Sequence, residues 1–204
     1  MYKIGLTGGI ACGKSTVCSF LRQAGADIID TDKIAHELSL PGQVLWQAYV
    51  EHFGRKILGA DESLDRRMIG NIVFTDNSEK EWINNVSHPL ILQRVQKRIE
   101  ELANKKKKVV IIDVPLLFET GWDKYVDEKW VVFVDKKTQV KRLITRNRYS
   151  FAEAKRRIRA QMPLACKVKQ ADRVINTSYE IARNKRRVFR LWYSLLKRLE
   201  YKNE

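Results

Sequence analysis

Two hydrophobic rhythms alternate along the chain, one of period two and one near 3.6. Tyr2-Lys3-Ile4-Gly5-Leu6-Thr7 reads as a strand, and Val17, Phe20, Leu21 and Ala24 then fall on one helical face, closed by Gly25. Ala26-Asp27-Ile28-Ile29 predicts a second short buried strand. From Ile34 to about Ala103 the spacing is helical, with breaks expected at Pro41-Gly42, Gly54, Gly59 and His88-Pro89. Apolar stripes there run through Val44–Phe53, through Leu64, Met68, Ile69, Ile72 and Val73, and through Ile91, Val95, Ile99 and Leu102. Val109-Val110-Ile111-Ile112-Asp113 is an unbroken β-branched run, as a strand buried on both faces requires. Trp130–Val134 predicts the fourth strand, with a helix opening at Asp135 or Thr138 and striped by Val140, Leu143 and Ile144. Arg173–Asn176 predicts the fifth strand, and Ile181, Val188, Leu191, Trp192, Leu195 and Leu199 stripe a terminal helix.

Strands alternating with helices predict a parallel, three-layer α/β domain. About seventy residues separate the second and third strands, far more than a crossover helix needs, so a helical subdomain is inserted there. The expected division of this single domain is a core of 1–32, 104–140 and 171–204, a helical subdomain of 33–103, and a basic segment of 141–170.

The first turn carries the chemistry. Gly8-Gly9-Ile10-Ala11-Cys12-Gly13-Lys14-Ser15-Thr16 fits G-x-x-x-x-G-K-[ST], a loop that wraps nucleotide phosphates when strand and helix flank it, as they do here. Gly8 and Gly13 let main-chain N–H groups converge on an anion at a helix N-terminus. Lys14 suits the β- and γ-phosphates, and the Ser15 hydroxyl suits Mg2+. The expected nucleotide contacts are Gly9, Ala11, Cys12, Gly13, Lys14, Ser15 and Thr16. Asp30-Thr31-Asp32 places two carboxylates at the end of the second strand, where such sheets bind ligands; Asp30 or Thr31 also suits a helix N-cap. Asp113, at the end of the third strand, is a second candidate for holding Mg2+.

Charge adds a second layer. The 204-residue chain has a net charge of +15. Residues 141–173 hold eleven Lys and Arg against two acids, Glu153 and Asp172. Such a cluster suits nucleic acid or a nucleoside triphosphate equally, but no recognition helix or aromatic platform accompanies it, which favours the triphosphate. Arg142 and Arg146, four apart, share one helix face and suit a transferring phosphoryl group. Lys105–Lys108 reads as a solvated helix end. Cys12, Cys18 and Cys166 lack metal-ligand spacing. Loop amides and Lys14 could lower the Cys12 thiol pKa, although a small tolerated side chain is the simpler account. With no apolar run of bilayer length and no signal-peptide layout, a cytoplasmic protein is expected, without membrane or nucleic-acid partners and monomeric.

In its combination of motifs the chain resembles the dephospho-coenzyme A kinase family. The resemblance rests on Leu6–Ile10 with Gly13–Thr16, Asp30-Thr31-Asp32, Leu64-Asp65-Arg66, His88–Ile91, Asp113–Glu119, Lys141-Arg142-Leu143 with Arg146, and Gln161–Leu164. It implies a P-loop NTPase-type fold with an acceptor-binding helical subdomain and a mobile arginine-bearing lid. It also implies ATP and Mg2+ as cofactors, and transfer of the γ-phosphate to the ribose 3′-hydroxyl of dephospho-coenzyme A. Asp32 is then the base, Lys14 and Arg142 stabilise the migrating charge, and Arg146 joins the nucleotide contacts. The chain departs from the family pattern at Leu40-Pro41-Gly42 and at Asn176-Thr177-Ser178-Tyr179, and the second departure leaves the adenine contact unassigned. Two other readings share the loop: a kinase for another small acceptor such as a nucleoside monophosphate, and a nucleotide-switched nucleic-acid-binding protein.

Overall fold

The computed structural model describes residues 1–200. Two compact units divide the chain: Met1–Ile29 with the chain from Lys107 onward, and Asp30–Lys106.

The first unit is built on strands β1 (Tyr2–Gly8), β2 (Ile28–Asp30), β3 (Val109–Asp113), β4 (Glu128–Phe133) and β5 (Arg173–Asn176). They form one parallel sheet in the order β2-β3-β1-β4-β5. The registers Tyr2↔Val109, Ile4↔Glu128 and Trp130↔Arg173 set β1 at the centre. Central placement explains its composition: Ile4 through Gly8 are buried in succession, and all five residues of β3 are buried. One face of the sheet carries Ile4, Leu6, Val109, Ile111, Trp130 and Val132. Against it lie α1 (Lys14–Gln23), through Val17, Phe20 and Leu21, and α9 (Ile181–Glu200), through Val188, Trp192 and Leu195. Between β4 and β5 run α6 (Lys136–Asn147), α7 (Phe151–Arg159) and α8 (Leu164–Lys169).

The second unit is helical: α2 (Thr31–Leu38), α3 (Val44–Phe53), α4 (Arg66–Thr75) and α5 (Asn77–Asn104). The long α5 packs against the other three. Tyr49, Phe53 and Trp82 form an aromatic cluster in which the His52 ring stacks on Trp82 at 3.7 Å. His52 Nε2 also meets Glu79 Oε2 at 2.7 Å.

Four expectations change. Pro89 does not end a helix: α5 continues through it for 28 residues. A proline removes one intrahelical donor, and packing on three neighbours outweighs that loss. The stripe on α4 is only half-buried: Ile69, Ile72 and Val73 are partly covered, Met68 is exposed, and no residue of the helix is fully buried. Capping instead marks its start, with Asp65 accepting from the Arg67 and Met68 amides. Ile181 stands on the exposed side of α9 at 70% exposure. Finally, β4 begins at Glu128, two residues before the apolar run, since a carboxylate conceals the strand pattern.

That carboxylate is nonetheless buried and fully engaged. Glu128 Oε1 accepts from Trp130 Nε1 at 3.0 Å, and Oε2 from the Tyr2 hydroxyl at 2.9 Å. Arg198 of α9 pairs with Oε2, and Arg173 of β5 approaches Oε1 at 3.4 Å. Burial pushes the Glu128 pKa up, but the hydrogen bonds from Trp130, Arg198 and Tyr2 outweigh it and hold the carboxyl below its ordinary 4.5. A depressed folded pKa stabilises fully above the unfolded value and loses that contribution as pH falls through the folded one. Glu128→Gln is therefore expected to cost about 2 kcal/mol at pH 7, less than an entirely buried pair because Arg198 is partly solvated. Urea midpoints of the two proteins should converge as pH is taken below 4.5; a constant gap would show that the charge is not the source.

Candidate functional site

The loop between β1 and α1 is shaped by two backbone constraints. A Cβ on Gly8 would lie 2.9 Å from the Val132 carbonyl oxygen, so only glycine lets β1 approach β4 this closely. Gly13 has φ +85° and Ala11 φ +59°, and these left-handed residues turn successive amides toward one side. Cys12 N donates to Gly9 O at 3.1 Å and Val17 N to Gly13 O at 3.0 Å, closing the turn into the helix. The start of α1 has no side-chain cap and no acid in its first turn. By contrast α2, α4, α5, α6 and α7 are capped by Asp30, Asp65, Asp76, Asp135 and Ser150. Uncapped amides at the positive end of a helix are an anion site.

Side chains from later elements brace this loop. Lys14 Nζ meets Asp113 Oδ1 at 2.5 Å, linking the end of β3 to the loop, and Cys18 Sγ donates to Asp113 Oδ2 at 3.2 Å. From α6, Gln139 Nε2 donates to Ile10 O at 2.9 Å, while Ile10 N donates to Gln161 Oε1 at 2.9 Å. The Thr177 hydroxyl, just past β5, donates to Cys12 O at 2.7 Å and accepts from Arg142 Nη1 at 3.1 Å. Arg142 Nη2 adds a bond to Thr177 O at 2.8 Å. A Cβ on Gly13 would lie 3.7 Å from Arg142 Nη1, so this guanidinium sits directly against the loop.

Arg146, one turn along, is exposed and bonds Asn147 Oδ1 at 2.8 Å; it does not join Arg142. Ser15 and Thr16 are exposed on the first turn of α1. Asp32 is exposed on the first turn of α2, in the helical unit, two residues beyond Asp30, which caps that helix through the Lys33 amide at 3.1 Å. Among the described residues no group of three His, Cys, Asp or Glu gathers as a metal cage. The Ser15 hydroxyl and the Asp113 carboxylate are the hard oxygen donors next to Lys14, a set that suits Mg2+ carried mainly on phosphates and water.

Sequence reasoning did not assign Thr177, Gln139, Gln161 or the pair Glu119–Lys167. Lys167 is wholly buried, with Nζ 2.8 Å from Glu119 Oε1 and 3.2 Å from Pro115 O. Glu119 Oε1 also accepts from the Met162 amide at 3.2 Å. The loop after β3 is thereby fastened to the segment that supplies Gln161. Glu119 and Gln161 lie in stretches that carry the family resemblance, and Thr177 in one that departs from it, but none was given a role; Gln139 and Lys167 had no signal beyond polarity in an apolar or basic stretch.

A G-x-x-x-x-G-K-S loop at the end of the central strand of a parallel sheet ordered 2-3-1-4-5 defines a P-loop kinase fold. The model of the dephospho-CoA kinase family matches residues 2–183. The dephospho-CoA kinase of Symbiobacterium thermophilum is 43% identical over 189 residues, covering 93% of this chain and 79% of that protein. That of Carboxydothermus hydrogenoformans is 46% identical over 178 residues, covering 87% and 86%. The solved dephospho-CoA kinase from Campylobacter jejuni superposes with a TM-score of 0.70 at 26% identity, covering 99% of this chain and 98% of that one. This chain belongs to the dephospho-CoA kinase family.

The two buried thiols are not activated. Burial pushes Cys12 up to about 11, against the opposing pull of the Gly9 and Val134 amides and Arg142. Burial, reinforced by the Asp113 charge, pushes Cys18 up to about 12. Cys12 is therefore a packed small side chain. Iodoacetamide at pH 7.5 should modify exposed Cys166 alone in the folded protein and all three cysteines in urea, read by intact mass. Fast labelling of Cys12 in the folded state would contradict this assignment.

Proposed function

We propose that this chain transfers the γ-phosphoryl group of ATP to the ribose 3′-hydroxyl of dephospho-coenzyme A, releasing ADP and coenzyme A. The observation that carries the reading is the braced loop, with Lys14 on Asp113 and Arg142 against Gly13, in a chain matched to the family over residues 2–183. Phosphoryl transfer asks a protein chiefly for in-line positioning and charge neutralisation.

In this reading Gly9, Ala11, Cys12, Gly13, Lys14, Ser15 and Thr16 form the cradle that receives the β- and γ-phosphates, and Lys14 turns its ammonium from Asp113 to share them. Ser15 and Asp113 would hold Mg2+, which supplies charge neutralisation between the phosphates when bound. Asp32 accepts the proton of the 3′-hydroxyl as the new O–P bond forms and the bond to the ADP oxygen breaks. Arg142, fixed by Thr177, neutralises charge on the migrating group, with Arg146 brought in from the same helix face. The helical segment 33–103 receives the acceptor, and segment 141–170 serves as the lid. Among the described residues no helix is long and apolar enough to cross a membrane. A monomer working in the cytoplasm, with ATP and dephospho-coenzyme A as its partners, completes the proposal.

ADP release measured with dephospho-coenzyme A and with a panel of nucleoside monophosphates tests the acceptor. Preference for dephospho-coenzyme A is expected, and turnover with a monophosphate instead would reassign it. Arg142→Ala should lower turnover on the order of 10³-fold, as loss of a charge-stabilising arginine does elsewhere. Asp32→Asn should retain ATP affinity and lose the chemical step; loss of ATP binding in that variant would make Asp32 structural.

A further inference from the structure

A cleft of about 820 Å3 opens beside β5, and no loop residue lines it. Val174 and Ile175 line it from the strand, and Arg183, Arg186, Arg187 and Arg190 from α9. Adjacent strand residues point to opposite faces, so a cleft touching both wraps the strand's edge. That edge is free: β5 is last in the sheet, with β4 between it and β1. The arginines are spaced i, i+3, i+4 and i+7, which puts their guanidiniums on one helical face.

Stability does not account for this arrangement. The first turn of α9 holds no acid, and like charges stacked along the positive end of a helix disfavour it. Some basic side chains find carboxylates, as Lys107 does with Asp27, Lys129 with Asp172 and Arg157 with Glu153. Among the described residues none of these four arginines has one. Two are held in place: the Tyr179 ring lies 4.1 Å from the Arg183 guanidinium and 5.0 Å from that of Arg187. Fixed guanidinium forks match phosphate oxygens bidentately, and the volume lies in the range of small-ligand sites. Linked phosphates concentrate several negative charges in such a space and so can answer four guanidiniums, while Val174 and Ile175 offer an apolar floor for an organic portion.

We propose that this cleft is a second binding site for a small polyphosphorylated anion of the nucleoside di- or triphosphate class, separate from the phosphate loop. The proposal does not depend on the identity of the phosphoryl acceptor.

Calorimetric titration of the full chain with ATP tests it. Two sites are expected, the second displaced by inorganic tripolyphosphate. Lys14→Ala should weaken the loop site and keep the second. Arg186→Glu with Arg190→Glu should keep the loop site and weaken the second on the order of 100-fold, since two attractive charges become repulsive. Both positions are exposed, and the melting temperature of this variant should hold or rise as repulsion along α9 is relieved. Arg186→Gln with Arg190→Gln gives the same test without charge reversal. A single ATP site in the unaltered chain, or a second site indifferent to both pairs of substitutions, overturns the proposal.

Discussion

One hydroxyl proton connects the far edge of the sheet to its centre. Thr177 donates it to the Cys12 carbonyl, and the oxygen that remains accepts from Arg142. A hydroxyl has one proton to give, so the 2.7 Å contact to Cys12 claims it over the 3.3 Å approach to the Phe133 carbonyl. The loop curvature set by Ala11 and Gly13, the position of Arg142 and the exit from β5 thus meet at one buried side chain, itself 4% exposed. Asn184 of α9 continues the chain of bonds by donating to the Thr177 and Tyr179 carbonyls. A phosphate loop is usually described by its glycines. Here its shape depends equally on side chains more than a hundred residues away.

How much of this was legible in the sequence follows from the range of each interaction. The motif of the loop, the apolar face of α1 and the buried strand β3 are local: glycine spacing, helical periodicity and a β-branched run announce them, even though distant side chains complete the loop's shape. Continuity of α5 through Pro89 was not legible, because three packing helices decide it and a proline alone argues for a break. The start of β4 was hidden for the complementary reason. Glu128 reads as a surface residue until Tyr2, Arg173 and Arg198 are known to surround it. The stripe on α4 shows a third case, a helical apolar spacing that does form a helix but is only partly covered.

The candidate site divides along the same line. Lys14, Ser15 and the loop glycines stood out because a motif fixes their spacing. Helical spacing placed Arg142 and Arg146 on a common face, but only tertiary contacts with Thr177 select Arg142 as the one against the loop. Gln139, Gln161 and the Glu119–Lys167 pair act through bonds that join distant segments; motifs mark the stretches of Glu119 and Gln161, but nothing in the sequence pairs them with their partners. Charge shows a similar limit. Counting residues put the basic excess in 141–173, but it did not show that four of those cations meet acids, Arg156 and Arg157 on Glu153, Lys167 on Glu119 and Arg173 on Glu128, or that a second basic face lies on α9.

The central position of β1 also orders the birth of the protein. The first strand leaves the ribosome long before either of its neighbours, since Tyr2 pairs with Val109 and Ile4 with Glu128. The helices of 30–106 are synthesised in the interval and can collapse on their own contacts. The sheet then closes strand by strand, and Thr177 emerges after all the rest of it. A nascent chain stalled before that residue would carry every signature of the phosphate loop and still lack the clasp that shapes it.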